Sequence, residues 1–398
     1  MPVSKKMAAA IANSSWIRRM FEEGSRLAKL HGVDRVYDFS IGNPNVEPPP
    51  EFKRALEEVV RETKPGVHGY MSNEGYYETR AAVAAYLSRD QGVELTASHV
   101  VMTCGAGGAL NVIFKTILDP GEEVITPRPY FPEYYAYVDN HGGVLKLVAS
   151  SADFDLDLEA IDEAVNPRTR AVLINTPNNP TGRVYSRDKL EALGELLARR
   201  SENFGRPIFL VSDEPYRRIV FDGMRVPPVM QTYTYTLFAS SYSKELSLAG
   251  ERIGYVAANP AIPDIGLLMD GLVIANRILG FVNAPALMQR VVARLQGVGV
   301  DVSLYQRNRD VLCRGLEEAG YQLFRPQGAF YLFPRSPIED DVAFCREMLE
   351  HLVLVVPGSG FGLSGYFRMA FCVPPEVVDG ALPIFHEVGA KYFGSRSA

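Results

Sequence analysis

The feature that most constrains this chain is a succession of apolar runs of strand length at residues 100–103, 123–126, 144–148, 171–174, 208–211 and 235–239. Segments whose apolar residues recur at helical spacing separate them. Alternation of this kind predicts a mostly parallel sheet, because consecutive parallel strands need a crossover and the crossover helices cover both faces. Ligand sites in such sheets gather beyond the carboxyl ends of the strands. Every unusual polar motif in this region directly follows one of the runs.

The flanks read differently. Trp16, Ile17, Met20, Phe21, Leu27 and Leu30 recur at helical spacing after an Asn13-Ser14-Ser15 cap, so a first helix is expected. Residues 36–41 alternate like a strand and break at Gly42-Asn43-Pro44, with Pro48-Pro49-Pro50 beyond as a domain crossing. After Pro260 come helical patterns at 263–295 and 301–319, short strands near 329–333, 352–356 and 366–371, and a helix over 375–392. This mixture suggests a smaller α+β domain. The expected division is a large domain at 46–290 and a small one made of 1–45 and 291–398.

A net charge of −6, with scattered Lys and Arg, argues against a nucleic-acid partner. Cys104, Cys313, Cys345 and Cys372 form no CxxC pair and the six histidines show no ligand spacing, so neither a disulfide framework nor a metal site is expected. The apolar patch at 7–12 is too short to span a membrane. A cytoplasmic protein is the expectation.

Several motifs bear on chemistry. Thr103-Cys104-Gly105-Ala106-Gly107-Gly108 is a small-residue turn between strand and helix, fit to offer backbone N–H groups to an anion, although the same pattern also makes a plain tight turn. Pro127-Arg128-Pro129-Tyr130-Phe131-Pro132 holds an aromatic ring on a stiff loop, where it is either core or the face for a flat ligand. Asn175-Thr176-Pro177-Asn178-Asn179-Pro180-Thr181-Gly182 sets side-chain amides on a proline-stiffened turn. Asp213 stands at a strand exit, three residues before Tyr216, as a helix cap or as the partner of a cationic ring nitrogen. Lys244, among the hydroxyls of Ser240, Ser241 and Ser243 and eight positions before Arg252, is an amine able to form an imine beside phosphate donors.

In this order Gly42-Asn43-Pro44, Tyr70, Gly105-Ala106-Gly107, Phe131, Asn179-Pro180-Thr181-Gly182, Asp213, Tyr216, Ser241, Lys244, Arg252 and Phe367-Arg368 closely resemble the class I/II aminotransferases, pyridoxal-phosphate enzymes of fold type I. The resemblance covers nearly the whole chain. It implies an α/β large domain with a mostly parallel seven-stranded sheet, pyridoxal 5′-phosphate as cofactor, and amino-acid and 2-oxo-acid substrates. It further implies that Lys244 is the Schiff-base residue and proton shuttle, that Asp213 keeps the pyridine nitrogen protonated, and that Tyr216 and Asn179 bond the ring oxygen. Gly105, Ala106, Gly107, Ser241 and Arg252 would hold the phosphate and Phe131 would stack on the ring. Arg368, helped by Asn179 and Gly42, would clamp the substrate carboxylate.

Tyr70 matches a tyrosine that the family sends to the neighbouring subunit's phosphate, so a homodimer is implied. Two departures stand out. Ala106 and Gly107 lack the hydroxyl that many relatives place in the phosphate loop, and Phe131 replaces the tryptophan of the aspartate-specific branch. A β-lyase of the cystathionine-lyase kind, on the same residues, is the alternative activity. A cofactor-binding regulator is disfavoured because no basic helix-turn-helix precedes residue 36. Arg18, Arg19 and Arg277 are the candidate cations for an acidic substrate, and Trp16 and Ile17 are candidates for an apolar wall.

Overall fold

Except for the run at 144–148, which forms a partly exposed edge strand, each apolar run becomes a strand because its residues have somewhere to go on both sides. The computed structural model describes residues 2–12, 16–63 and 65–394, with the side chains at 9, 10, 12, 16–19 and 21 outside that description. Along the chain the strands are β1 (Tyr37–Asp38), β2 (Val100–Thr103), β3 (Glu123–Pro127), β4 (Val144–Val148), β5 (Thr169–Asn175), β6 (Phe209–Asp213), β7 (Thr236–Ser241), β8 (Gly254–Ala258), β9 (Tyr331–Leu332), β10 (Val353–Leu354), β11 (Val356–Pro357) and β12 (Phe367–Ala370).

The central sheet has seven strands in the order β2-β8-β7-β6-β5-β3-β4. All neighbours run parallel except β8, which is antiparallel to both β2 and β7. Reversal at β8 happens twice, so β2 still points the same way as β7. Alternate residues feed separate cores: Val100, Met102, Ile125, Val172, Leu210 and Phe238 pack on one face. Val101, Val124, Ala171, Leu173, Val211 and Leu237 pack on the other. Each of these side chains larger than alanine contributes roughly 1.5–3 kcal/mol by leaving water, before chain entropy is counted.

A further core joins Phe39, Tyr305, Leu312, Tyr331, Phe344, Phe367 and Phe385 to Tyr216, Ile219 and Phe221. It carries the antiparallel set β11-β12-β9 and the parallel pair β1-β10. Phe39 N–H donates to Leu354 O, and Ala370 N–H to Phe39 O, which draws Gly42 toward the sheet.

The expected mostly parallel, seven-stranded α/β architecture is therefore present, with two local differences. Strand β8 falls where the sequence reads as the end of a polar stretch, since Gly254 and two alanines dilute its apolar signal. The helical pattern at 263–295 forms two helices, Ile265–Ile278 and Ala286–Val292, interrupted by Gly280 at φ 88° and Pro285. The first expected helix forms as Trp16–His31, while its Asn13-Ser14-Ser15 cap lies outside the described residues.

Candidate active site

Sheet direction decides which motifs meet. The carboxyl ends of β2, β3, β5, β6 and β7 lie on one edge, and because β8 is reversed its first residue, Gly254, opens on that edge too. Gly42, Ala106, Gly107, Phe131, Asn179, Asp213, Tyr216, Ser241, Lys244, Arg252 and Arg368 consequently line one cavity of about 280 Å³. Gly105 is not among the cavity's lining residues, although Ala106 and Gly107, which follow it, are. Tyr70 does not line it; 94% exposed, it borders a separate hollow with His68, Phe281 and Asn283.

Strand β7 ends at Ser241 and the chain turns at once into the short helix Tyr242–Glu245, which carries Lys244. The Lys244 ammonium donates to Gly42 O at 2.7 Å and stands 5.5 Å from the Phe330 ring centre. Burial, followed by the nearby guanidinium charges of Arg368 and Arg252, lowers its pKa to about 8, against some favourable interaction with Cys372. About a tenth of this amine is therefore an uncharged nucleophile at pH 7, and about half at pH 8.

Asp213 closes β6 and is buried. Its Oδ2 accepts a 2.5 Å hydrogen bond from the Tyr134 hydroxyl, whereas Oδ1 is buried without a partner. Desolvation raises the pKa to about 7, and the neighbouring Glu214 adds to this while the Tyr134 bond opposes it. A carboxylate so placed calls for a cation on its open side.

Arg368, on β12, is 1% exposed. Its Nη1 donates to Asn179 Oδ1 at 3.3 Å and Nη2 to Ser40 O at 2.5 Å, leaving Nε buried and unpartnered. The guanidinium stacks 4.7 Å from the Tyr331 ring centre and 4.8 Å from that of Phe361. No carboxylate of a described residue pairs with it. Asn179 is itself fixed, its N–H donating to Asn175 Oδ1 at 2.6 Å while Asn175 Nδ2 donates to Asp213 O at 2.8 Å.

At the other end of the cavity the helix Gly105–Ile117 begins with Gly105 at φ 72°, a conformation suited to glycine. A Cβ on Gly105 would lie 2.8 Å from Arg252 Nη2. Arg252 adopts φ 51°, uncommon for a non-glycine residue, and Nη1 donates to Ala249 O at 3.0 Å. Phe131 lines the wall and meets Tyr134 edge-on, with ring centres 5.5 Å apart.

These residues fit pyridoxal phosphate. The unpartnered Asp213 Oδ1 suits a protonated ring nitrogen, the amine of Lys244 suits an aldehyde, and the close approach of Arg252 to a Cβ-free helix start suits a phosphate. Tyr134, Tyr137 and Tyr331 line this wall with no role assigned to them from sequence, as does Asn175, which the sequence places only within its amide-bearing turn. The Tyr331 hydroxyl bonds that of Tyr216 at 2.9 Å and would lie 2.0 Å from a Cβ on Gly42. Of the candidate substrate cations, Arg277 is exposed and does not line the cavity, and the side chains of Arg18, Arg19, Trp16 and Ile17 are outside the description.

Fold and cavity together define a fold-type-I pyridoxal-phosphate enzyme. The aminotransferase class I and II family matches residues 34–384. The aspartate/prephenate aminotransferase of Thermus thermophilus is 32% identical, covering 90% of this chain and 92% of that one. The probable aspartate aminotransferase of Methanocaldococcus jannaschii is 30% identical, covering 88% and 92%. An amino transferase structure from Eubacterium rectale superposes with a TM-score of 0.95 at 41% identity, covering 98% of this chain and 99% of that one. The chain belongs to the class I and II aminotransferases, and it is a pyridoxal-phosphate-dependent enzyme that moves an amino group between an amino acid and a 2-oxo acid. None of these names favours the lyase alternative.

Proposed function

We propose that Lys244 is the residue that bonds the cofactor and moves the proton at the substrate Cα, with Asp213 and Arg368 as its two fixed counterparts. One observation carries this reading: the depressed amine of Lys244, the open Asp213 Oδ1 and the unpartnered Arg368 Nε converge on one cavity. Pyridoxal phosphate, when bound, supplies the electron sink that stabilises negative charge at Cα. Asp213 holds the ring nitrogen's proton, and Tyr134 keeps its second oxygen engaged. Tyr216 and Asn179 donate to the ring oxygen, and Phe131 covers the ring face. Ser241, Arg252 and the N–H groups of Ala106 and Gly107, with Gly105 allowing close approach, take the phosphate.

Arg368 binds the α-carboxylate, with Asn179 and the Gly42 backbone beside it, as a planar fork in a buried aromatic setting. Names of the relatives make aspartate and prephenate the first substrates to try. The division into 46–290 and the combined 1–45 and 291–398 remains part of this reading: Phe39, Leu312, Phe344 and Phe385 share one core and the sheet strands another, while Val291, Val292 and Leu295 pack with the sheet's core and Tyr216, Ile219 and Phe221 with the smaller one.

A homodimer completes the proposal. Leu267, Ile274 and Ile278 are 75%, 56% and 59% exposed along one helix, and the exposed Tyr70 borders the Phe281 hollow, so a second copy would cover apolar surface and receive Tyr70. The cytoplasm remains the proposed compartment, consistent with free thiols at the four cysteines. Among the described residues no helix is long and apolar enough to cross a membrane.

The test uses holoenzyme and amino donor alone. Conversion of the cofactor's absorbance to that of its amine form, with release of the 2-oxo acid, is expected. Steady release of pyruvate and ammonia without that conversion would instead favour the lyase.

A further inference from the structure

The phosphate end of the cavity raises a question of supply, because Ala106 and Gly107 bring no side-chain hydroxyl to the start of the helix Gly105–Ile117. A hydroxyl arrives from elsewhere. Tyr137, on the helix Glu133–Asp139, lines the same cavity, and its Oη lies 2.9 Å from the place a Cβ on Gly107 would take. Arg252 Nη2 holds the matching position over Gly105, so the two groups flank one turn of free backbone N–H groups.

We propose that Tyr137 is a cofactor-binding residue whose hydroxyl donates to the phosphate, replacing the loop hydroxyl that Gly107 cannot carry. This inference rests on the cofactor site proposed above. Gly107 is then a glycine because the space its side chain would fill already holds the tyrosine oxygen. The helix bearing Tyr137 is anchored one turn earlier, where Tyr134 bonds Asp213, so the ring end and the phosphate end of the site are set by residues three apart on one helical face. Burial, with the charges of Glu133 and Asp213, raises the Tyr137 hydroxyl to about 12 despite Arg252, which keeps it a donor throughout the neutral range. No hydrogen bond to another described residue engages that hydroxyl.

The prediction is a swap. Tyr137→Phe removes the oxygen and should weaken binding of pyridoxal phosphate to the apoenzyme by about tenfold to a hundredfold, the range for a hydrogen bond to a charged group. Affinity for pyridoxal, which lacks the phosphate, should be unchanged. Gly107→Thr alone should also weaken cofactor binding, since its Cβ collides with Oη. In the double variant Tyr137→Phe with Gly107→Thr the nearest ring atom, Cζ, is 3.5 Å from that Cβ, so the new hydroxyl fits and affinity should return to within about threefold of the parent.

Dissociation constants from the absorbance of dialysed apoenzyme titrated with each ligand read all four proteins, and unfolding temperatures of the apoproteins confirm that each is folded. Equal affinity of the parent and Tyr137→Phe for pyridoxal phosphate would overturn the proposal. So would an equal loss toward pyridoxal, or a double variant no better than either single one. Parent protein that takes up no pyridoxal phosphate at all would sink the cofactor site itself, a separate failure.

Discussion

At the carboxyl edge of the central sheet lies the cavity of about 280 Å³, and at the opposite edge lies a hollow of about 900 Å³ bounded by residues 194–207, 230–235 and 259–261. Size would favour the second. Its polar groups, however, are satisfied: Tyr233 OH donates to Ile208 O at 2.9 Å, Asn259 Nδ2 donates to Met230 O and Tyr233 O, and Ser201 Oγ accepts from Ile208 N–H. The smaller cavity keeps Asp213 Oδ1 and Arg368 Nε buried without partners. Other buried polar atoms among the described residues also lack partners, Tyr321 Oη and Arg183 Nε among them, but Arg183 is ion-paired, whereas Asp213 and Arg368 are charged groups with no opposite charge, and an isolated buried charge is costly until a ligand completes it. Unmet hydrogen-bonding capacity, rather than volume, separates a site from a dent.

Removing the central amine should produce the largest difference between the two edges. Lys244→Ala should lower transamination by about a thousandfold or more, the combined loss of a nucleophile and a proton carrier. Stopped-flow or extended endpoint assays check this, and activity near the parent's would end the comparison. The parent also has a pH signature. With an amine pKa of about 8, capture of pyridoxal phosphate by apoprotein should rise about tenfold between pH 7 and 9 and then level off. An ordinary lysine would give about a hundredfold rise still climbing at pH 9.

Asp213 ranks next, because its effects on stability and activity have opposite signs. Its pKa in the folded apoprotein is raised from 3.8 to about 7, so the folded chain binds a proton that the unfolded chain releases across that window. The stability it confers is full below about pH 4 and is lost as pH rises to about 7. The loss is roughly 4 kcal/mol at most. Asp213→Asn abolishes this dependence: the variant apoprotein should melt a few degrees higher than the parent at pH 8 and close to it at pH 4, while its transamination falls. Parallel melting curves at both pH values would show that Asp213 does not face the cavity as an unpaired acid.

Much of this site was legible because each motif followed a strand. In a mostly parallel sheet the residues after a strand meet at one edge, so Asn179, Asp213 and Lys244 could be grouped before any geometry was known. Residues that enter by packing could not. Tyr134, Tyr135 and Tyr137 look alike in sequence, yet Tyr134 is buried on Asp213, Tyr137 faces the phosphate end and Tyr135 is 60% exposed. Only the docking of the helix Glu133–Asp139 selects among them. Tyr331 reaches Tyr216 across 115 positions, a pairing that local periodicity does not encode. The reversed strand β8 was hidden for a related reason: its small residues Gly254, Ala257 and Ala258 make a weak apolar signal, and only its neighbours β2 and β7 define it.

The smallest expected effect lies at the far hollow and tests the other half of the contrast. The Tyr233 hydroxyl donates to Ile208 O and lies 3.0 Å from Ser201 Oγ, which joins the helix Arg187–Phe204 to the start of β6. Tyr233→Phe leaves a buried carbonyl without its donor, a cost of about 1–3 kcal/mol. It changes nothing at the opposite edge. Chemical denaturation should therefore show a lower midpoint with an unchanged slope, while kcat/KM stays within about twofold of the parent. A Tyr233→Phe protein of parental stability would mean that the hollow's bonds are not engaged as drawn. One that lost activity at parental stability would mean that the larger hollow communicates with the cavity, and the two edges of the sheet could no longer be treated as independent.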